Sequence, residues 1–195
     1  MGKALEFLFD VGSPASYIAY KRLPEIAART GATVSYRPFL LGGVFKATGN
    51  HSPAEIPAKG RWSSIDLANF AKRHGVPFAR NPFFPINTLH LMRGAAGLQD
   101  DPRFMAYLDA VFDAMWQDPK NLGDPAEMAP VLARAGIDGD AFMSLIADDA
   151  TKARLKATTD DAVARGAFGA PTFFVGDQMF FGQDRLDWVE EALAS

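Results

Sequence analysis

The strand-like segments of this chain lie at its two ends, and the stretch between them reads as helix and turn. Ala4 to Phe9 is a nearly continuous apolar run broken by Glu6, the pattern of a mostly buried strand. Thr33 to Arg37 alternates and is rich in β-branched residues, which predicts a second strand ending at Pro38. Far along the chain, Thr172 to Val175 and Met179 to Phe181 flank Gly176-Asp177-Gln178, a short hairpin turn. A sheet made from these pieces must bring the two ends together, with the helical middle inserted between them. The expected class is therefore α/β. Residues 1–60 and 151–195 would form one discontinuous domain and residues 61–150 a helical insertion.

Between the strands, Ser13 stands where an N-cap belongs and Pro14 at the favoured first helical position. Tyr17, Ile18, Leu23, Ile26 and Ala27 supply a buried face, and Gly31 a C-terminal stop. From Leu40 to Gly60, glycines and prolines interrupt every short pattern, which predicts a long ordered loop. Trp62 to His74 has helical period, followed by the proline-rich turn Asn81-Pro82-Phe83-Phe84-Pro85. Helices are expected from Asn87 to about Gly166, with stops near Pro102, Pro119 and Gly136, and a last amphipathic helix over Asp184 to Leu193.

Composition narrows the function. At 195 residues, with 48% hydrophobic and 22% charged residues, the chain is an ordinary globular protein. A net charge of −3 with no long basic block argues against nucleic acid as a partner. No segment has the apolar length of a membrane span, and the start is too short and acidic for a secretory signal, so the expected compartment is the cytoplasm. Gly2 does not begin a myristoylation signal, because Glu6 stands where Ser or Thr is wanted. The histidines His51, His74 and His90 lack metal-ligand spacing, so no metal is expected.

Two short segments carry chemistry. Phe9-Asp10-Val11-Gly12-Ser13-Pro14-Ala15-Ser16-Tyr17 runs from strand into helix, and Gly169-Ala170-Pro171-Thr172 enters the third strand. Together they resemble the two halves of a thioredoxin-like active site. Ser13-Pro14-Ala15-Ser16 occupies the place of Cys-x-x-Cys, and the chain has no cysteine, so dithiol exchange by its own side chains is excluded. With Thr48-Gly49-Asn50, Lys59-Gly60-Arg61 and Phe181-Gly182-Gln183-Asp184-Arg185 in order, the chain resembles the family of 2-hydroxychromene-2-carboxylate isomerases and kappa-class glutathione transferases. The resemblance runs nearly end to end and implies a DsbA-like thioredoxin fold with a helical insertion. Gly12 and Ala15 are smaller than residues often seen there, and Gln183 replaces a smaller polar one.

The resemblance implies glutathione as cofactor and Ser13 as the catalytic residue, its hydroxyl donating to the cofactor's sulfur. Ser13 also suffices as a plain helix cap. Lowering a thiol pKa by about two units from about 8.5 needs about 2.7 kcal/mol, which a charge-assisted hydrogen bond plus the helix dipole can supply. The same resemblance makes Ala170–Pro171 a cis bond that exposes the Ala170 backbone to glutathione; otherwise Pro171 is a strand-entry proline. It assigns Gln183 and Asp184 to the γ-glutamyl end and Asn50 and Lys59 to the glycyl carboxylate, and counts Arg185 among the cofactor-binding residues. On their own, Asn50 and Lys59 read as solvated loop residues and Asp184 as a helix-start acid.

The implied reaction turns a cis double bond to trans in an opened aromatic hemiketal acid, by reversible thiolate addition. Phe45, Trp62, Phe83, Phe84 and Trp116 are candidates for the wall holding this small aromatic substrate, or are core residues. Lys46, Arg61 and Arg80 are candidates for its carboxylate. A kappa-like transferase and a non-catalytic thioredoxin-like binding protein are the alternatives. A homodimer is also implied. Phe104, Tyr107, Leu108, Val111, Phe112, Met115 and Trp116 at helical spacing would serve the core of one subunit or a symmetric contact.

Overall fold

A computed structural model describes residues 3–195; Gly2 lies outside the described residues. Strand β1 (Ala4–Phe9) is central and pairs in parallel with β2 (Thr33–Pro38) through helix α1 (Pro14–Thr30). On its other side β1 pairs antiparallel with β3 (Thr172–Val175), which forms a hairpin with β4 (Gln178–Phe181). The sheet order is β2-β1-β3-β4, so strands from the two ends of the chain meet along β1, as the sequence requires. This is a DsbA-like thioredoxin fold.

Helix α1 ends at Gly31 with φ 68°, a left-handed stop that suits glycine. Its Tyr17, Ile18, Leu23 and Ile26 are buried against the sheet. Phe7 stacks on Phe9 at 5.2 Å and on Phe173 at 5.5 Å, joining β1 to β3 through one aromatic row.

Residues 40–60 are not the loop that their glycines and prolines predict. Helix α2 (Leu41–Thr48) is followed by a 3-10 turn over Pro53–Glu55, and α3 (Pro57–Arg73) starts before Trp62. Gly43 is helical because the helix packs closely: a Cβ there would lie 3.2 Å from Thr159. Tertiary packing overrides the low helix propensity of the Gly42-Gly43 pair. The middle holds α4 (Leu89–Leu98), α5 (Phe104–Trp116), α6 (Pro125–Arg134), α7 (Gly139–Ala147) and α8 (Asp149–Ala164). After β4 come a 3-10 turn over Gln183–Arg185 and α9 (Leu186–Ala194).

All seven residues of the α5 stripe are buried within this one chain. They build its core and leave nothing of the stripe for a second subunit. Trp116 reaches furthest toward the sheet: its Nε1 donates to the Val11 carbonyl at 2.8 Å, beside the β1–α1 turn. No helix among the described residues is long and apolar enough to cross a membrane.

Candidate active site

Asp10 closes the turn from β1 to α1. Its carbonyl accepts from the Ser13 N–H at 2.9 Å and its Oδ1 from the Gly12 N–H at 2.9 Å. Ser13 is left extended, with φ −92° and ψ 114°, at the head of α1. Its Oγ accepts from the Ser16 N–H at 3.1 Å, so the capping role is present. The same hydroxyl donates to the Ala170 carbonyl at 3.2 Å. One side chain thus bridges the first helix to the turn before β3.

That turn is tied on both sides. The Ala170–Pro171 bond is cis, as the resemblance implies, and Phe84–Pro85 is a second cis bond that sequence reading did not expect. Thr172 Oγ1 donates to the Gly169 carbonyl at 2.8 Å, and the Gly182 N–H to the Pro171 carbonyl at 3.0 Å. Asn50 reaches the same segment: its Nδ2 donates to the Phe168 carbonyl at 2.8 Å while its Oδ1 accepts from the His51 N–H. Arg22 of α1 holds the far side, donating to the Gln183 carbonyl at 3.4 Å and pairing with Asp187 at 3.1 Å.

Ser13 and Ala170 border a cavity of about 770 Å³, within the range of small-molecule sites. Asn50, Gln183 and Asp184 border it too, as do Phe45, Trp62, Phe84, Trp116, Arg61 and Arg80. Other candidates lie off its wall. Pro171 is buried behind Ala170, and Lys46 and Lys59 are exposed and do not line the cavity. Arg185 turns outward to pair with Asp184 at 2.6 Å and to lie 4.8 Å over Trp188. Phe83 is 51% exposed. The Asn81 side chain fixes that turn by accepting from the Phe83 N–H, so Phe84 enters against Trp116 at 5.8 Å and Phe83 faces out.

Sequence reasoning missed Phe168 and Phe181, which border the cavity with rings 4.5 Å apart. Phe181 opens one of the quoted motifs and Phe168 directly precedes another, and that was the signal for them. It also missed Leu41, Asp66 and Phe78, whose placement depends on how α2, α3 and the following turn pack. The resulting chemistry is defined by its donors. The hydroxyl and the N–H groups at the start of α1 favour an anionic atom beside Ser13. Arg61 and Arg80 make no ion pair among the described residues, so two guanidinium groups remain for a second anion. The chain has no cysteine, so any thiolate at this site would be a ligand's.

These features define a thioredoxin-like protein whose dithiol has been replaced by a serine cap. The family described as DSBA-like thioredoxin domain matches residues 4–194, and the chain belongs to that family. Over 195 residues it is 32% identical to 2-hydroxychromene-2-carboxylate isomerase of Sphingobium xenophagum, covering 99% of each protein. It is 28% identical to glutathione S-transferase kappa 1 of Caenorhabditis elegans, covering 97% of this chain and 90% of that protein. A solved structure of 2-hydroxychromene-2-carboxylate isomerase superimposes with a TM-score of 0.87 at 30% identity, covering 97% of this chain and 94% of that one.

Proposed function

We propose that this protein is a glutathione-dependent isomerase acting on 2-hydroxychromene-2-carboxylate or a related aromatic catabolic intermediate. The observation that carries the reading is the Ser13 hydroxyl, set at the start of α1 and hydrogen-bonded to the residue preceding a cis proline. The hydrogen-bonding groups fit glutathione: a hydroxyl to donate to a thiolate, and the Ala170 carbonyl to accept from a peptide N–H. When bound, glutathione supplies a thiolate whose reversible addition to a double bond frees that bond to rotate.

The chain's own residues do the rest. The Ser13 O–H can rotate from the Ala170 carbonyl toward the cavity while its oxygen still accepts from Ser16. Ala170 O is then free to accept from a ligand amide. We assign Asn50 to the glycyl carboxylate, and Gln183 and Asp184 to the γ-glutamyl end; Lys59 and Arg185, which lie off the cavity wall, receive no role. Phe45, Trp62, Phe84 and Trp116 would hold the aromatic ring, and Arg61 and Arg80 its carboxylate. We keep the division into residues 1–60 with 151–195, and an insertion over 61–150, as part of this reading; under it the cavity would lie between the two parts.

Isomerisation of the chromene acid, followed by absorbance with and without glutathione, tests the reading; turnover without added thiol overturns it. A kappa-like transferase is the second reading, favoured by the open aromatic wall, and conjugation of an aryl halide without isomerisation would establish it. A folded sample that binds no glutathione by calorimetry would instead indicate a non-catalytic binding protein. Reduced glutathione is a cytosolic resource, which supports the cytoplasm as compartment. We also propose a two-fold homodimer. Sedimentation showing only monomer at micromolar concentrations removes the dimer and leaves the site.

A further inference from the structure

Asp10 is a buried acid beside the site that the chemistry above does not use. It is 1% exposed, and no cation lies within ion-pair distance among the described residues. Its Oδ1 accepts from the Gly12 N–H and its Oδ2 from the Leu41 N–H, each at 2.9 Å, and the Thr88 side chain stands beside the carboxylate. Leu41 begins α2, whose N-cap Leu40 has no capping side chain, and Thr88 stands before α4 without capping it. One carboxylate therefore joins the β1–α1 turn to the start of α2, with Thr88 at its side, around the Gly12–Ser13 peptide. There is no slack in the joint: a Cβ on Gly12 would lie 2.8 Å from Thr88 Cγ2 and 3.3 Å from Asp10 Oδ1. A buried, unpaired carboxylate is costly, so its value here lies in what it holds in place.

We propose that Asp10 is a positioning residue for Ser13: its carboxylate locks the turn to α2, against Thr88, so that the Ser13 hydroxyl stays between Ala170 and the cavity. The inference rests on the glutathione reading of Ser13. Asp10→Asn keeps the volume but turns an amide N–H₂ toward one of the two backbone donors.

The test is a double-mutant cycle with Ser13→Ala, read as the ionisation constant of the bound glutathione thiol. Asp10→Asn removes a negative charge in both backgrounds, and that part cancels in the cycle. It should be less favourable to the thiolate when the Ser13 hydroxyl is present than when it is absent, by about fivefold or more. In the free protein, Asp10→Asn should also speed hydrogen exchange of the Ser16 amide, which reports the cap bond, by about tenfold. Thr88→Val leaves both backbone bonds and should give a smaller coupling of the same sign, restored in Thr88→Ser; this pair serves if Asp10→Asn does not fold. Equal effects in the two backgrounds, with Ser16 exchange unchanged, overturn the inference while glutathione binding by the wild type keeps the proposed function. A wild-type protein that binds no glutathione overturns both.

Discussion

Ser13 uses one oxygen for the helix cap and one proton for the site. Replacing it by alanine removes both, and the two losses are separable by measurement. Loss of the cap should cost about 1 kcal/mol of stability, small enough to keep the fold. Loss of the donor should raise the apparent pKa of bound glutathione by about one unit or more, since a charge-assisted hydrogen bond is worth roughly 1.5–3 kcal/mol. Thiolate absorbance titrated against pH in the Ser13→Ala complex checks this, and an unchanged pKa removes the tuning role. Asp10 gives a second prediction. Burial pushes its carboxyl above the ordinary 3.8, against the pull of its hydrogen bonds to Gly12 and Leu41. Between the unfolded and folded values the folded protein binds more protons, so this group makes stability fall as pH rises through that window. Denaturant unfolding between pH 4 and 7 should show that downward contribution in the wild type and not in Asp10→Asn. Ser13 was legible in the sequence because a cap, a proline and a missing cysteine coincide there. The neighbours of Asp10 were not, since Leu41 and Thr88 are 31 and 78 positions away along the chain.

At the scale of elements, the strands and α1 were legible because their signals are local: alternation, a capped start, a glycine stop. α2 was not, since Gly42 and Gly43 read as turn residues until α8 is seen packed on Gly43. The same limit hid the inward and outward sides of the Asn81–Pro85 turn. Gly169 illustrates how close packing between elements shapes the cavity. A Cβ there would lie 2.7 Å from the Phe181 ring of β4, which must then swing. The ring is 39% exposed and can move, so Gly169→Ala should cost about 1 kcal/mol or less in stability. Because the ring borders the cavity next to Ala170, glutathione affinity should fall by about tenfold, the equivalent of one hydrogen bond. Calorimetry on Gly169→Ala, and on the same variant carrying Phe181→Leu, checks the cause: the second substitution should recover most of the affinity. Unchanged binding in Gly169→Ala would show that the ring does not limit the site.

For the whole molecule, the joint between the two ends of the chain is also an electrostatic one. Glu6, the single break in the apolar run of β1, accepts from Arg37 of β2 at 2.6 Å and from Arg165 after α8 at 2.8 Å. Asp161 pairs with both arginines, and the Arg165 guanidinium lies 3.6 Å from the centre of the Phe174 ring on β3. Four elements thus converge on one carboxylate that sequence reading saw only as an interruption. The Arg165 hydrogen bond, ahead of the remaining charges, holds the Glu6 carboxyl below its ordinary 4.5. A lowered folded pKa means that the network's contribution is full above 4.5 and is lost as pH falls through the folded value. This has the opposite sign to Asp10, so acidification weakens the sheet joint while relieving the buried acid behind Ser13. Glu6→Gln should destabilise the protein by about 1–2 kcal/mol at pH 7, in keeping with a partly buried, charge-assisted pair. It should also flatten the loss of stability below pH 4.5. Denaturant unfolding of wild type and Glu6→Gln at pH 7 and pH 3 decides the matter: an equal destabilisation at both would mean that Glu6 acts by packing and not by charge.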